Sequence, residues 1–315
     1  MSMKKVLILT DGKAGHENQS RAFARALGGD AAERVEIHFK SKLHKALSYL
    51  LDRVGVGSLS LFTGLDGLAA RSGYAAVVGT GSGTFYAVKT LARRLGVKGG
   101  VVLYPRGYRI ATFDCILAPA FDRPPKAPNV IEIPANLVAN DAAFYARGVA
   151  DFRARTDVVP EVAVIVGGPN KCATLTADWM RRKLDAIFAQ PGAKAVTTSR
   201  RTPPDVEAVV DSYPWDYRLL YSKDRFNPIP AFVSLAKRLY VTAESTGMLS
   251  EACMFGTAEV VALDNLKPGP HKFRRFVDGL VAGGSAAWDG AEAAGRARKV
   301  DLSAPFAAAR RLMGL

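Results

Sequence analysis

The chain has 315 residues, of which 49% are hydrophobic and 23% charged, and its formal net charge is +14. This length suits two domains of about 150 residues each, and the composition excludes extended disorder. The positive charge favours an anionic partner, but the sequence has no RGG repeat, zinc-knuckle spacing or RNP-type aromatic strand, so we expect no nucleic-acid partner.

The first half of the chain alternates short apolar runs with segments of helical periodicity. Strands are predicted at residues 6–9, 35–39, 74–79, 101–104, 115–117 and 130–133, and helices at 18–27, 40–54 and 84–95. Continuous apolar strands separated by helices are typical of a parallel sheet that is covered on both faces.

The same pattern restarts after the charged stretch 151–157. Strands are predicted at 162–166, 195–198, 218–221, 238–241 and 260–263, with a helix at 176–189 and an amphipathic helix at 303–315 in which Phe306, Leu312 and Leu315 are available for packing. We therefore predict an α/β fold with an N-terminal Rossmann-like domain (1–155) and a C-terminal one (156–300). The final helix (301–315) is expected to pack back on the N-terminal domain.

Polar residues cluster directly after the first strand, in the segment 11–19 (DGKAGHENQ). Ligands of open α/β sheets bind at this edge, and glycines such as Gly15 let the backbone approach a ligand. An imidazole such as His16 takes a proton near neutral pH. The plain alternative is a polar turn with His16 at a helix start. The number of polar groups at one strand end favours function.

Two segments of the second half follow strands and suit an anion. Gly168 and Asn170 lie in a glycine-containing turn after the strand at 162–166, which alone is a weak signal. Ser199, Arg200 and Arg201 follow the strand at 195–198, and guanidinium groups match two oxygens of a phosphate or carboxylate at once. A solvated basic turn explains the same residues equally well.

A third segment, 241–252, combines a strand end, a hydroxyl-rich turn and a helix start. Ser245, Thr246, Gly247 and Met248 present backbone N–H groups at the positive end of the helix dipole, which suits a pyrophosphate. Glu251 lies one turn further on, within reach of ribose hydroxyls. Plain N-capping by Ser245 or Thr246 is the structural alternative.

The helix at 40–54 carries leucines at helical spacing beside lysines. Such a pattern fits docking onto an anionic bilayer. A helix whose leucines face the core gives the same pattern, and its general frequency favours that interpretation.

Several common catalytic motifs do not occur. We find no Asp-x-Asp, Walker, His-Glu-x-x-His or Gly-x-Ser-x-Gly motif, and residues 79–83 lack the dinucleotide-binding register. We therefore expect neither a metal nor a tightly bound cofactor. The three cysteines are far apart and no apolar run reaches the length of a signal peptide or membrane span, which indicates a reducing cytoplasm.

Taken together, the motifs resemble the mitochondrial fission "elongated mitochondria" family, which occurs in bacteria and plants. The opening segment 11–19 matches its SDGKxGHxNQ-like hallmark, and 162–168, 199–203 (SRRTP), 227–228 and 242–252 follow in the expected order. Two departures stand out: Glu244 replaces the aspartate of a typical TADS segment, and Phe121-Asp122 stands where members often have His-Asp.

The resemblance implies a GT-B glycosyltransferase, with two Rossmann-like domains facing across a cleft. It implies a metal-independent transfer from a nucleotide sugar, the co-substrate, to an acceptor held by the N-terminal half. Our leading hypothesis is that the acceptor is a cell-envelope or lipid molecule, with the protein cytoplasmic and peripheral on the inner membrane. The donor would lie on the C-terminal half, at the anion-binding residues named above. His16 or Asp11 would activate the acceptor, and Lys13, Gly15, Asn18 and Gln19 would line the acceptor side.

Two other functions fit the same residues. A nucleotide-sugar epimerase or hydrolase would use the same C-terminal site with extra carboxylates such as Glu17 and Asp122. A non-catalytic, membrane-associated adaptor follows from the family name.

Overall fold

The computed structural model describes residues 5–29, 32–65, 67–68, 73–291 and 298–315. The chain forms two compact units, Met1–Ala139 with Asp301–Leu315 and Asn140–Val300. Each unit has a parallel six-stranded sheet with helices, as the sequence predicts.

The first unit contains the following elements: β1 (Lys5–Thr10), α1 (Ala14–Ala26), β2 (Glu33–Glu36), β3 (His38–Phe39), α2 (Lys42–Arg53), β4 (Phe62–Thr63), β5 (Tyr74–Thr80), α3 (Phe85–Leu95), β6 (Lys98–Val102), β7 (Cys115–Pro119), β8 (Val130–Ile133) and α10 (Ser303–Met313). Its sheet has the order β2-β1-β5-β6-β7-β8, and β3 pairs with β4 in a small antiparallel ribbon.

The order of this sheet reverses between β1 and β5. After β1 the chain moves outward to β2 and then returns to the other side of β1. The loops that leave the carboxyl ends of β1 and β5 therefore diverge and leave a crevice at that edge, the usual place for a ligand in such sheets.

The second unit contains the following elements: α4 (Ala142–Arg153), β9 (Val162–Val166), α5 (Ala177–Phe188), β10 (Lys194–Thr198), α6 (Pro204–Asp211), β11 (Tyr217–Leu219), α7 (Ile229–Leu235), β12 (Arg238–Thr242), α8 (Thr246–Met254), β13 (Glu259–Leu263), α9 (Lys272–Ala282) and β14 (Ala287–Trp288). Its sheet order is β11-β10-β9-β12-β13-β14, so the reversal lies between β9 and β12.

The boundary between the two units falls between residues 139 and 140, whereas the sequence suggests a boundary at 155. Helix α4 packs on α7, where Phe152 meets Phe232 with ring centroids 5.9 Å apart and Gly148 lies against Pro230. The charged stretch 151–157 is the exposed end of this helix and its following turn, so it resembles a linker in the sequence although it belongs to the second unit.

Helix α1 begins at Ala14, four residues before the predicted start at 18. Lys13 occupies the N-cap position and provides no side-chain cap, and Gly15 is a weak helix former, so the sequence carries no start signal here. His16 consequently lies in the first helical turn rather than in the turn before it.

Most leucines of α2 are exposed, so the core-facing interpretation is wrong for them, whereas Leu51 packs against the core. The exposed fractions of Leu43, Leu50 and Val54 are 81%, 58% and 66%. The buried side of α2 instead carries the polar residues Ser48 and Asp52.

The C-terminal helix α10 packs on the sheet of the first unit, against β6, β7 and β8. Ala309 and Met313 are buried, whereas Phe306, Leu312 and Leu315 are only half-buried. The methyl group of Met313 lies over Gly100 of β6, where a side chain would occupy the same space.

We predict that Met313→Ala lowers the free energy of unfolding by about 2–4 kcal/mol, because it leaves a cavity over Gly100. Urea denaturation measures this loss. Arg311→Ala, on the exposed side of the same helix, should change the free energy by no more than about 0.5 kcal/mol. Equal effects of both variants would contradict the packing of α10.

Candidate functional site

An acid and an imidazole pair at the carboxyl edge of the first sheet. His16 Nδ1 lies 3.0 and 3.1 Å from the two carboxylate oxygens of Asp11, and Lys13 Nζ donates to Oδ2 at 2.8 Å. Asp11 is nearly buried, with 8% of its side chain exposed, whereas His16 retains 24%. With Nδ1 held by the carboxylate, the other ring nitrogen, Nε2, is left to act on a ligand.

Two glycines of the loop after β5 make room for this pair. A side chain at Gly81 would overlap the His16 ring, and one at Gly83 would lie 2.7 Å from Asp11 Cβ. Gly81 also has φ +84°, which favours glycine. The segment 79–83, which lacks a dinucleotide-binding register, thus packs directly against the Asp11–His16 pair. The loop after β1 and the loop after β5 both lie at the reversal point of the sheet.

Opposing effects act on the Asp11 carboxyl. Burial alone would raise its pKa, but the hydrogen bond from Lys13 and the charge of His16 outweigh burial and hold the pKa below its usual value. Asp11 is therefore ionised at neutral pH, the form that accepts a hydrogen bond from the imidazole.

The predicted acceptor-side residues divide into two groups. Lys13 and Gly15 are exposed at the start of α1. Asn18 Oδ1 accepts from the Ala139 amide at 3.2 Å, and Gln19 is buried and donates to the Gly15 carbonyl at 3.4 Å. Asn18 thus ties α1 to the segment after β8, and the Gln19 bond lies within α1. Contact of any of these four residues with an acceptor stays a prediction.

At the reversal point of the second sheet, Glu244 joins the loops after β9 and β12. Its Oε1 accepts from the Gly168 amide at 2.8 Å, and its Oε2 accepts from Asn265 Nδ2 at 2.8 Å. Beside it, Thr242 Oγ1 accepts from the Gly167 amide at 2.8 Å. The Glu244 side chain has no exposed area.

The predicted basic turn meets the same loops. Arg201 donates to the Gly168 carbonyl at 3.2 Å and lies 3.8 Å from Glu244 Oε1, and Thr202 Oγ1 donates to the Gly167 carbonyl at 2.6 Å. Ser199 closes the turn through a 2.9 Å bond from its amide to Thr202, while Arg200 is exposed. The turn and the 242–246 segment therefore share one edge of the sheet.

The start of α8 has no side-chain cap. Ser245 occupies the N-cap position without bonding a backbone amide, and its neighbours Thr246, Gly247 and Met248 form the first turn. Thr246 and Met248 are half-buried and Gly247 is exposed. Plain N-capping by Ser245 is therefore wrong for this helix, and the amides of its first turn have no partner within the helix.

Side-chain capping differs among the described helices. Side chains cap α2, α4, α5 and α9, whereas α1, α3, α6, α7, α8 and α10 begin without a side-chain cap. The helix after β12, α8, therefore belongs to the uncapped group.

Two other predicted donor-side residues have partners of their own. Glu251 Oε1 accepts from Tyr145 at 2.9 Å and from Asn140 at 3.0 Å, and burial raises its pKa despite these bonds. Asn170 Oδ1 accepts from the Cys172 amide at 2.7 Å and shapes its own turn. Contacts from either residue to a ligand stay predictions.

The sequence does not reveal the structural roles of four residues at these two edges: Gly81, Gly83, Glu244 and Asn265. Glu244 stood out only as a departure from the family's aspartate, and the signal that marks its role is an acid following a buried strand directly. No group of three or more His, Cys, Asp or Glu side chains in the described ranges is arranged to hold a metal ion.

Comparison with protein-family models places nearly the whole chain in one family. The model of the mitochondrial fission ELM1 family matches residues 14–313. Comparison with curated proteins gave no significant match.

Three solved structures resemble nearly the whole chain. Phytolacca americana UGT2, complexed with UDP-2fluoro-glucose and pterostilbene, has 11% identity and TM-score 0.52, over 99% of this chain and 90% of that one. A Polygonum tinctorium UDP-glucosyltransferase has 10% identity and TM-score 0.51, over 99% and 89%. Acinetobacter baumannii MurG has 14% identity and TM-score 0.49, over 99% and 92%. The two structures with TM-scores above 0.5 show that the fold is of the GT-B class.

We predict that Glu244→Ala lowers the free energy of unfolding by about 2–4 kcal/mol, because the amides of Gly168 and Asn265 lose a buried acceptor. Urea denaturation tests this. The matched control is Glu161→Ala, which removes an acid whose ion pair with Lys237 is exposed and should cost at most about 1 kcal/mol. A Glu244 variant as stable as the control would show that the loops do not depend on this carboxylate.

Proposed function

The chain belongs to the mitochondrial fission ELM1 family, and from this membership and the geometry of its two sheet edges we propose that it is a metal-independent glycosyltransferase that uses a nucleotide sugar. The observation that carries the proposal is the uncapped start of α8 beside the Ser199–Thr202 turn.

The donor diphosphate is proposed to bind at the start of α8. The amides of the first turn and the positive end of the helix dipole attract an anion, and the exposed Gly247 lets it approach closely. Arg200 and Arg201 add guanidinium donors from the neighbouring turn. Gly168, Ser199 and Ser245 shape this edge, while Asn170 and Glu251 extend it toward the nucleoside.

The acceptor is proposed to be activated by His16. Its Nε2 takes the proton from an acceptor hydroxyl while that oxygen bonds to the anomeric carbon of the sugar and the bond from this carbon to the diphosphate oxygen breaks. Asp11 stabilises the imidazolium that forms. The departing diphosphate keeps the electron pair, and the amides of α8 with the two arginines stabilise its charge, so no step requires a metal.

The acceptor is proposed to be a lipid or another cell-envelope molecule, with the protein acting in the cytoplasm at the inner membrane. The high positive charge favours an anionic surface of this kind. No helix in the described part of the chain is long and apolar enough to cross a bilayer.

The two alternatives differ in what they require. An epimerase or hydrolase needs further free carboxylates, but Glu17 already pairs with Arg21 and Arg34 at 2.7 and 2.8 Å. A non-catalytic adaptor needs neither His16 nor the donor edge, and it would bind membranes without turnover.

We predict that Thr246→Asp abolishes nucleotide binding while leaving the protein at least as stable. An acid in the first turn interacts favourably with the helix dipole but repels a diphosphate from the same amides. Thermal shift and calorimetry with UDP, GDP, ADP, CMP and their sugars measure both effects. Thr176→Asp, at the capped start of α5, is the control and should bind normally. Absence of any nucleotide binding by the unmodified protein would contradict the proposal.

We predict that His16→Ala lowers kcat by about 100-fold or more with nucleotide affinity unchanged, because it removes the base but not the donor edge. Transfer to an extract of envelope lipids, followed with a labelled sugar, gives the rate. His38→Ala removes an exposed imidazole of the same unit and should leave the rate unchanged. Unaltered transfer by the His16 variant would assign the base elsewhere.

A further inference from the structure

Helix α2 exposes its apolar side and buries a polar side, whereas most surface helices do the opposite. Leu43, Leu47, Leu50 and Val54 lie within an arc of about 60° on the helix surface and are exposed to 81%, 41%, 58% and 66%. In the described ranges, the only other exposed large hydrophobic residues are Val56, which follows the helix, and Val159 in the other unit. We call these four residues the leucine face.

Polar anchors on the opposite side fix the rotation of α2. The buried Ser48 hydroxyl bonds Tyr108 OH at 2.8 Å, and the buried Asp52 accepts from the Arg109 amide at 2.6 Å and pairs with Lys89. Turning the helix to bury its leucines would break these buried polar contacts and leave their groups unsatisfied. The exposure of the leucine face is therefore a consequence of how the first unit is built.

Basic side chains flank the leucine face. Lys42 and Arg53 are exposed on one flank of the helix, and Lys40 precedes it. At the end of α2 a cavity of about 540 Å³ is lined by Val56 together with Arg93, Arg94 and Arg109. Apolar side chains within a basic margin match a surface with an apolar interior and anionic head groups.

We propose that the leucine face docks the first unit onto an anionic lipid bilayer, with its leucines among the acyl chains and its basic margin at the phosphates. Charge complementarity selects this occupant over a second copy of the chain, because two such faces would bring their lysines and arginines together.

Helix α2 also contacts the loop beside the Asp11–His16 pair, through its side away from the leucine face. Lys45 of α2 donates to Ser82 Oγ at 2.9 Å, and Ser82 lies between the two glycines that support the pair. This contact is a further polar anchor that fixes the rotation of α2. The docking itself does not depend on the proposed transfer.

Cosedimentation with vesicles tests the proposal without any nucleotide, so its outcome is separate from that of the transferase assay. We expect the full chain to bind vesicles that contain phosphatidylglycerol, and to bind pure phosphatidylcholine vesicles far less. Binding should fall as salt is raised, because the basic margin is screened. Leu43→Ser with Leu50→Ser should lower the partition coefficient at least about tenfold.

Two controls make the test specific. Val159→Ser removes an exposed apolar residue of the other unit and should bind vesicles as the unmodified protein does, and an unchanged melting temperature verifies that the leucine double variant is folded. The proposal is overturned if phosphatidylglycerol vesicles are not bound, or if the double variant binds them equally. A dimer that the double variant dissociates, without vesicle binding, would assign the face to a second copy instead.

Discussion

The buried carboxylate of Glu244 is the contact on which the loops at the second unit's reversal point depend. Three loops converge where the sheet order reverses, and each brings backbone groups that must find partners away from water. Glu244 accepts from the Gly168 backbone amide and from the Asn265 side-chain amide, and it lies near Arg201. None of these contacts uses the first turn of α8, where we propose that the diphosphate binds.

In the first unit, the Asp11–His16 pair occupies the corresponding position at the reversal point of the sheet. Asp11 binds the imidazole of His16 through Nδ1, and glycines 81 and 83 provide the space in which the two side chains lie. In both units a mostly or fully buried acid fixes the loops of the reversal point, and a chemically useful group remains exposed. This division between a fixed acid and an exposed group explains why the polar residues of the sequence concentrate at strand ends.

The sequence predicts some of this well for physical reasons. Fully buried parallel strands read as continuous apolar runs, so the strand at 162–166 is found at its correct bounds. The start of α1 is missed because no capping residue marks it, and the orientation of α2 is missed because leucine spacing does not reveal which side of a helix is buried. Glu244 is missed because its partners lie 76 and 21 residues away.

A structure of the protein with a bound nucleoside diphosphate tests the central claim most directly. Phosphate oxygens should lie about 3 Å from the amides of Gly247 and Met248, with a guanidinium of Arg200 or Arg201 beside them. A nucleotide held at another edge of the sheet, with the first turn of α8 left without an anion, would contradict the claim.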